Sequence, residues 1–314
     1  MISLSSIEIV EVAPRDGLQN EAVVFSVEDK ADLILRSISA GARRIEAVSF
    51  VNPRAVPQMA DAEAVMAALR GPHALQTRDV ILSGLILNRR GLDRAIAARV
   101  DEVNFVVIAS ETFSQRNQGM AVRDALSQLA ATAQACRAEA LPFSVTIGAA
   151  FGCPFEGETP LKRVVEIAAE AAALGAKEIA LADTIGVADP MAVECVIAAV
   201  HAVAPDMPLR CHFHNTRNTG IANAYAAWRS GVATLDASLG GIGGCPFAPA
   251  ATGNIATEDT VYMLERMGVQ TGYDLERLLH AADWLQGKLG KALPAALGRA
   301  GAFPPAQDRQ RLSA

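Results

Sequence analysis

The sequence predicts an α/β protein built as a (β/α)8 TIM barrel with extra C-terminal helices. Three observations lead there. Eight short runs rich in β-branched and apolar residues alternate with longer alanine-rich helical patterns. No G-x-G-x-x-G follows the first run, which speaks against an open, doubly wound, dinucleotide-binding sheet. Acids, imidazoles, an amide and a cysteine stand just past the C-terminal ends of the runs, the end at which a barrel carries its chemistry.

Ile7–Val12 reads as the first strand and leads into Pro14-Arg15-Asp16-Gly17-Leu18-Gln19-Asn20. The helix pattern Ser26–Ala40 stops at Ala40-Gly41, the small-residue signal of a helix C-terminus. The second strand, Arg44–Ser49, carries Glu46 inside an apolar run, and helix Asp61–Leu69 follows it. Val80–Leu87 with helix Leu92–Ala98 forms the third unit, and Glu102–Ile108 with Val122–Ala138 the fourth. Phe143–Ala149 leads to Gly152-Cys153-Pro154 and helix Pro160–Leu174, stopped by Gly175. Glu178–Ala182 ends at Asp183-Thr184, ahead of helix Pro190–Ala202. Leu209–His214 is the seventh strand, with helix Gly220–Arg229 closing at Ser230-Gly231. Ala233–Ala237 is the eighth and runs into Gly240-Gly241-Ile242-Gly243-Gly244-Cys245. Helix candidates Glu258–Met267 and Tyr273–Leu289 come last, before a proline-containing tail from Phe303.

A chain of 314 residues suits one large barrel, because single α/β barrels commonly use about 250 residues or more. We read residues 1–290 as one catalytic domain with its C-terminal helices, and 291–314 as a tail. The net charge of −6 counts against nucleic acid or an anionic membrane as a partner. The five cysteines include no close-spaced pair, so neither a zinc site of that type nor a disulfide framework is expected. The start, Met1-Ile2-Ser3-Leu4-Ser5-Ser6, lacks the basic and apolar regions of a signal peptide, and charges interrupt every apolar segment. A soluble, cytoplasmic protein is the expectation.

The chemistry centres on His212 and His214. Two apart on a strand, they point to one face, where a pair of imidazoles can hold a divalent metal; the same spacing also fits two satisfied core histidines. Asp16 is the natural third ligand, and with Gly17 it also suits a turn. Asn254, just before a helix, can cap it or reach a hard cation through its side-chain oxygen. This oxygen and nitrogen set suits Mg2+ or Mn2+. Beside a metal, Arg15 can bind a carboxylate or thioester oxygen and stabilise an enolate; it can equally pair with Glu46 or Asp183. Those two acids sit in apolar strand segments, where an acid needs a partner or a function. Four glycines in Gly240–Gly244 make a backbone able to move, so Cys245 reads as a thiol on a lid; a phosphate cradle and an inert turn are the other readings.

Longer motifs go further. The segments Val12-Ala13-Pro14-Arg15-Asp16-Gly17-Leu18-Gln19-Asn20-Glu21, Ser49-Phe50-Val51-Asn52-Pro53 and Val56-Pro57-Gln58-Met59 resemble 3-hydroxy-3-methylglutaryl-CoA lyase. So do Gly152-Cys153-Pro154-Phe155-Glu156-Gly157, Asp183-Thr184-Ile185-Gly186-Val187, Gly243-Gly244-Cys245-Pro246-Phe247-Ala248 and Gly253-Asn254-Ile255-Ala256-Thr257-Glu258-Asp259. The resemblance runs in order from about residue 7 to 270. It implies a divalent-metal-dependent oxo-acid-lyase that splits 3-hydroxy-3-methylglutaryl-CoA into acetyl-CoA and acetoacetate, as in leucine degradation. It further implies metal ligands Asp16, His212, His214 and Asn254, with Arg15, Cys245, Glu46 and Asp183 as catalytic residues. Arg15, Gln19 and Arg217 are expected at the acyl-CoA substrate, and a homodimer is expected.

One stretch departs from the family. After the second histidine these lyases usually have Asp-Thr, then often Tyr-Gly or Arg-Gly, whereas here the run is Asn215-Thr216-Arg217-Asn218-Thr219-Gly220. The departure bears on the acyl group, and so a sister lyase for another branched 3-hydroxyacyl-CoA, of isohexenyl or citramalyl type, is the alternative. Claisen-type condensing synthases also place an Asn after the second histidine. They usually append a further domain, for which the run after Asn254 leaves no room.

Overall fold

The structure is a computed structural model that describes residues 5–245 and 248–303, leaving out the side chains of residues 245–252. Strand β1 (Glu8–Glu11) leads into a single π-helical turn, Ala13–Gly17, and then helix α1 (Val27–Ser39). The units continue as β2 (Arg44–Ser49), α2 (Ala62–Arg70) and α3 (Ala74–Thr77), β3 (Ile81–Ile86) and α4 (Arg89–Ala97), and β4 (Glu102–Ile108) with α5 (Glu111–Gln118) and α6 (Val122–Ala138). Next come β5 (Phe143–Gly148) and α7 (Leu161–Ala173), β6 (Ile179–Asp183) and α8 (Pro190–Val203), β7 (Leu209–Phe213) and α9 (Gly220–Arg229), and β8 (Thr234–Ala237). The short strands β9 (Gly244–Cys245) and β10 (Ala248–Thr252) pair antiparallel, and α10 (Thr257–Arg266), α11 (Leu275–Leu289) and α12 (Leu297–Ala300) follow.

β1 to β8 form a closed, parallel barrel in which β1 pairs with both β2 and β8. The expected (β/α)8 barrel with extra C-terminal helices is what the chain forms. Valine, isoleucine, leucine and alanine fill the strands and bury on both sides, as strands between a helical shell and a packed interior must. Caps explain where several helices begin. The Ser26 hydroxyl accepts from Asp29 N (3.1 Å), Asn88 Oδ1 from Gly91 N (3.0 Å), and Asp189 Oδ1 from Met191 N and Ala192 N (2.8 and 3.0 Å). The Asn88 cap starts α4 three residues before the apolar pattern does. Helix α5 was not foreseen: Glu-Thr-Phe-Ser-Gln-Arg-Asn-Gln has no amphipathic period, and the Ser110 hydroxyl, accepting from Phe113 N (3.1 Å), caps it.

The bottom of the barrel is closed by charge. Arg44, at the start of β2, donates from Nε to Glu102 Oε1 (2.8 Å) and from Nη1 and Nη2 to the two oxygens of Glu178 (3.0 and 2.9 Å). Arg210 on β7 reaches Glu178 through Nε (3.1 Å) and Asp236 through Nη1 (3.0 Å), and Lys177 pairs with Glu102. Arg44 on β2 reaches Glu102 on β4 and Glu178 just before β6, strands that are not neighbours in the sheet, so these groups meet across the interior. The layers above carry the site.

At the other end, Glu11 fastens three elements. Its Oε1 accepts from Ala13 N and Leu239 N (2.8 and 2.9 Å) and its Oε2 from Thr257 Oγ1 (2.8 Å). Glu258 Oε2 accepts from Gly240 N (3.0 Å), and Ala295 N donates to Gly240 O (3.1 Å), so the segment before α12 also docks on this loop root. Among the described residues no helix is long and apolar enough to cross a membrane. The tail beyond residue 303 lies outside the described residues.

Two predictions follow from these buried charges. Arg44→Met strips Glu102 and Glu178 of a shared counter-charge and should cost about 3–5 kcal/mol, read as a lower urea midpoint; an unchanged midpoint would contradict the reading. Burial pushes Glu11 up to about 7 and Glu258 up to about 8. The folded state therefore keeps protons that unfolded glutamates release, so this stability is complete below the unfolded value of 4.5 and lost as pH rises through the folded values. Glu258→Gln should lose less stability than the parent protein between pH 5 and pH 8, by on the order of 1 kcal/mol or more. Parallel pH–stability curves would count against it.

Candidate active site

The turn after β1, the end of β7 and the segment after β10 converge at the C-terminal end of the barrel. Asp16 sits in the π-helical turn, His212 on β7, and His214 one residue beyond that strand, where it bridges Asn254. The Nε2 atoms of His212 and His214 lie 3.9 and 4.0 Å from Asp16 Oδ2, and Asn254 Nδ2 donates to the same oxygen at 2.8 Å. One potential ligand atom from each of Asp16, His212 and His214 falls within 4.8 Å of the others. The two imidazole rings are 5.2 Å apart at their centroids.

These residues fit a divalent cation. Two buried polar atoms of the set, Asn254 Oδ1 and His214 Nδ1, have no hydrogen-bond partner among the described residues. A carboxylate oxygen surrounded by two imidazole nitrogens and an amide is a donor set of the hard-to-borderline type. Gly243 keeps the space open: at φ +128°, a Cβ there would lie 2.4 Å from Asn254 Nδ2 and 3.5 Å from Asp16 Oδ2. The electrostatics favour the ligand forms of Asp16 and His214. Burial opposes ionisation of Asp16, but Arg15, the two histidines and the Asn254 hydrogen bond hold its carboxyl well below the usual carboxylate range. Burial, reinforced by His212, pushes His214 down to about 4, which keeps that imidazole neutral. Burial alone would also lower His212, but its hydrogen bond to Asp236 and the charges of Asp16 and Asp236 outweigh it.

Arg15 stands beside this cluster. Its Nε donates to Glu46 Oε2 (2.5 Å), its Nη2 pairs with the same oxygen, and its Nη1 donates to Asp16 Oδ1 (2.6 Å). Burial would lower it, yet Glu46 and Asp16 more than compensate and keep it charged. Both readings of Glu46, ion pair and site residue, therefore meet in one contact. Glu46 is held from behind by Asn104 on β4, whose Nδ2 donates to Oε1 (2.8 Å), while Asn104 Oδ1 accepts from Thr146 Oγ1 (2.9 Å).

Asp183, at the end of β6, is fully buried and accepts from Val187 N on Oδ1 (2.9 Å) and Ala188 N on Oδ2 (3.0 Å), shaping its own loop. Burial raises its pKa against those bonds and the charge of His212. Arg217 is exposed and its Nη1 donates to the Ile185 and Gly186 carbonyls of that loop (3.0 and 2.9 Å). Asn215 Oδ1 accepts from Gly220 N (3.1 Å) at the start of α9, a structural use that the sequence did not suggest. Gln19 is half-buried just past the Asp16 turn. The backbone of Cys245 lies in β9, and its side chain lies outside the described residues.

Two residues at the site escaped the sequence reading. Asp236 Oδ2 meets His212 Nδ1 at 3.1 Å, and Asn104 supports Glu46. Asp236 did carry a signal, an acid in the apolar run Ala233–Ala237, the same signal that singled out Glu46 and Asp183.

The chain is similar to known proteins along most of its length. The HMGL-like family pattern matches residues 6–285. The (R)-citramalyl-CoA lyase of Chloroflexus aurantiacus is 46% identical over 96% of this chain and 97% of its own. A hydroxymethylglutaryl-CoA lyase of Bacillus subtilis is 38% identical over 92% of this chain and 95% of its own. Among solved structures, an HMG-CoA lyase from Acinetobacter baumannii in complex with coenzyme A and 3-methylmalate superposes with a TM-score of 0.90 at 38% identity, covering 97% of this chain and 98% of that one. Similarity of this extent, along a barrel of the expected kind, shows that the chain belongs to the HMGL-like family and is a lyase.

Proposed function

We propose that this lyase breaks the C2–C3 bond of a branched, tertiary 3-hydroxyacyl-CoA that carries a free carboxylate, releasing acetyl-CoA and an oxo acid. The observation that carries this reading is the convergence of Asp16, His212, His214 and Asn254 beside a charged, buried Arg15. (R)-Citramalyl-CoA, which would yield acetyl-CoA and pyruvate, is the substrate we favour, because a lyase of that name is 46% identical over nearly the whole chain. The second reading is 3-hydroxy-3-methylglutaryl-CoA, yielding acetoacetate; it is favoured by the motif set above and by relatives at 38% identity. The two acids differ by a single methylene between carbinol carbon and carboxylate, a difference that a pocket discriminates only modestly, by about 1–3 kcal/mol.

Asp16, His212, His214 and Asn254 would hold a divalent cation, Mg2+ or Mn2+, which when bound would supply Lewis acidity that lowers the pKa of the substrate hydroxyl. The chain's own groups do the rest. We assign Asp183, raised by burial and held beside His212, as the base that takes the hydroxyl proton. As the carbinol carbon becomes a ketone, the electrons of the C2–C3 bond pass to the thioester as an enolate. Arg15 places positive charge against that oxyanion: its contacts with Glu46 and Asp16 fix the guanidinium. Glu46, braced by Asn104, holds Arg15 in that position. Cys245 is the proposed donor of the proton that turns the enolate into acetyl-CoA. Gln19 and Arg217 are proposed contacts to the substrate, with Arg217 anchored to the loop that follows Asp183. A cytoplasmic homodimer with one catalytic domain over residues 1–290 completes the proposal.

Incubation of the protein with each thioester and Mg2+ or Mn2+ should release acetyl-CoA with pyruvate from (R)-citramalyl-CoA faster than acetoacetate from the methylglutaryl thioester. Turnover should vanish in EDTA and return with either metal. Faster acetoacetate release would transfer the assignment to the second reading, and turnover untouched by EDTA would remove the metal. Arg15→Lys should lower kcat by about 10²–10³-fold, because an ammonium cannot reproduce the planar fork at the enolate. A variant with parental kcat would take Arg15 out of the transition state.

A further inference from the structure

The two histidines of the cluster are not held alike. Among the described residues His214 Nδ1 is buried and has no partner, whereas His212 Nδ1 lies 3.1 Å from Asp236 Oδ2. Asp236 is itself fixed on its far side, where Arg210 Nη1 donates to Oδ1 at 3.0 Å. Arg210 is tied in turn to Glu178, and Glu178 to Arg44, so the carboxylate that touches His212 is the last member of the ion-pair layer that closes the barrel. All of these groups are buried.

From this we infer that Asp236 is a positioning residue that sets the ligand form of His212. An aspartate with Arg210 on one oxygen stays ionised and accepts only. The proton of the neutral imidazole is then fixed on Nδ1, and the Nε2 lone pair faces Asp16 Oδ2. A carboxylate behind a ligating imidazole fixes its tautomer and orientation and raises its basicity, and loss of such a partner weakens metal binding by about 10–100-fold. With His214 unsupported on its Nδ1, the cluster depends on His212 for its oriented nitrogen ligand. The inference rests on the metal-holding reading of Asp16, His212 and His214, and it assigns Asp236 no contact with substrate.

Two measurements test it. In the metal-free parent protein at mildly alkaline pH, the nitrogen-15 NMR spectrum of labelled histidines should show His212 protonated on Nδ1 and bare on Nε2. Protonation on Nε2 instead would overturn the inference, with no variant needed. Binding of Mn2+ alone, followed by the loss of the free-ion EPR signal, should be about 10–100-fold weaker in Asp236→Asn than in the parent. Asp236→Glu keeps the charge but displaces the carboxylate, and should weaken binding as well. A folded variant of either kind that binds Mn2+ within twofold of the parent overturns the inference. Absence of Mn2+ binding by the parent itself would instead take down the metal reading on which the inference rests.

Discussion

The constraint on which the molecule depends is the cost of keeping ionised side chains inside a closed barrel. Each must find an opposite charge or a donor within the interior, because water does not reach it. The chain solves this in a continuous series, Lys177–Glu102–Arg44–Glu178–Arg210–Asp236–His212, that begins at the bottom of the barrel and ends at the metal-type cluster. A second series, Thr146–Asn104–Glu46–Arg15–Asp16, reaches the same place from the other side. Hydrogen bonds and ion pairs in such series cannot be moved one at a time, and this gives the reactive end its fixed geometry.

That geometry separates residues of similar chemistry into different duties. Asp16 is surrounded by positive and donor groups and stays ionised, while Asp183, at the end of β6, is raised by a dry environment in which its partners are mainly backbone amides. Burial acts on both imidazoles, but the Asp236 hydrogen bond and the Asp16 and Asp236 charges outweigh it at His212 and raise that ring, whereas His214 is pushed down and kept neutral. Two carboxylates and two imidazoles pushed apart in this way are what acid–base chemistry next to a bound cation requires.

Much of this was legible in the chain. The β-branched runs located the strands because parallel strands bury on both faces, and Ile7–Val12 or Leu209–His214 differ from the observed strands only at their ends. His212, His214, Asp16 and Asn254 stood out because each is a polar group at a strand end or loop, where an apolar period cannot account for it. What escaped was whatever depends on a partner distant in sequence. The ion pair between Arg44 and Glu178 spans 134 positions, and the support of His212 by Asp236 spans 24. Helix α5 escaped because its cap and packing, rather than any periodicity, make it a helix. Asn215 stood out as part of a departure that bears on the acyl group, while its amide oxygen accepts from Gly220 N at the start of α9, a role that needs only an acceptor.

Family membership and the barrel are shared with lyases named for different acyl-CoA substrates, so the cluster itself carries the central claim. Anomalous diffraction from a crystal of the protein soaked in Mn2+ tests it most directly. The account predicts one strong peak about 2.0–2.2 Å from Asp16 Oδ2, Asn254 Oδ1 and the Nε2 atoms of His212 and His214, with Asn254 turned to offer its oxygen. A crystal with no peak at these atoms, or with its manganese bound elsewhere, would contradict it.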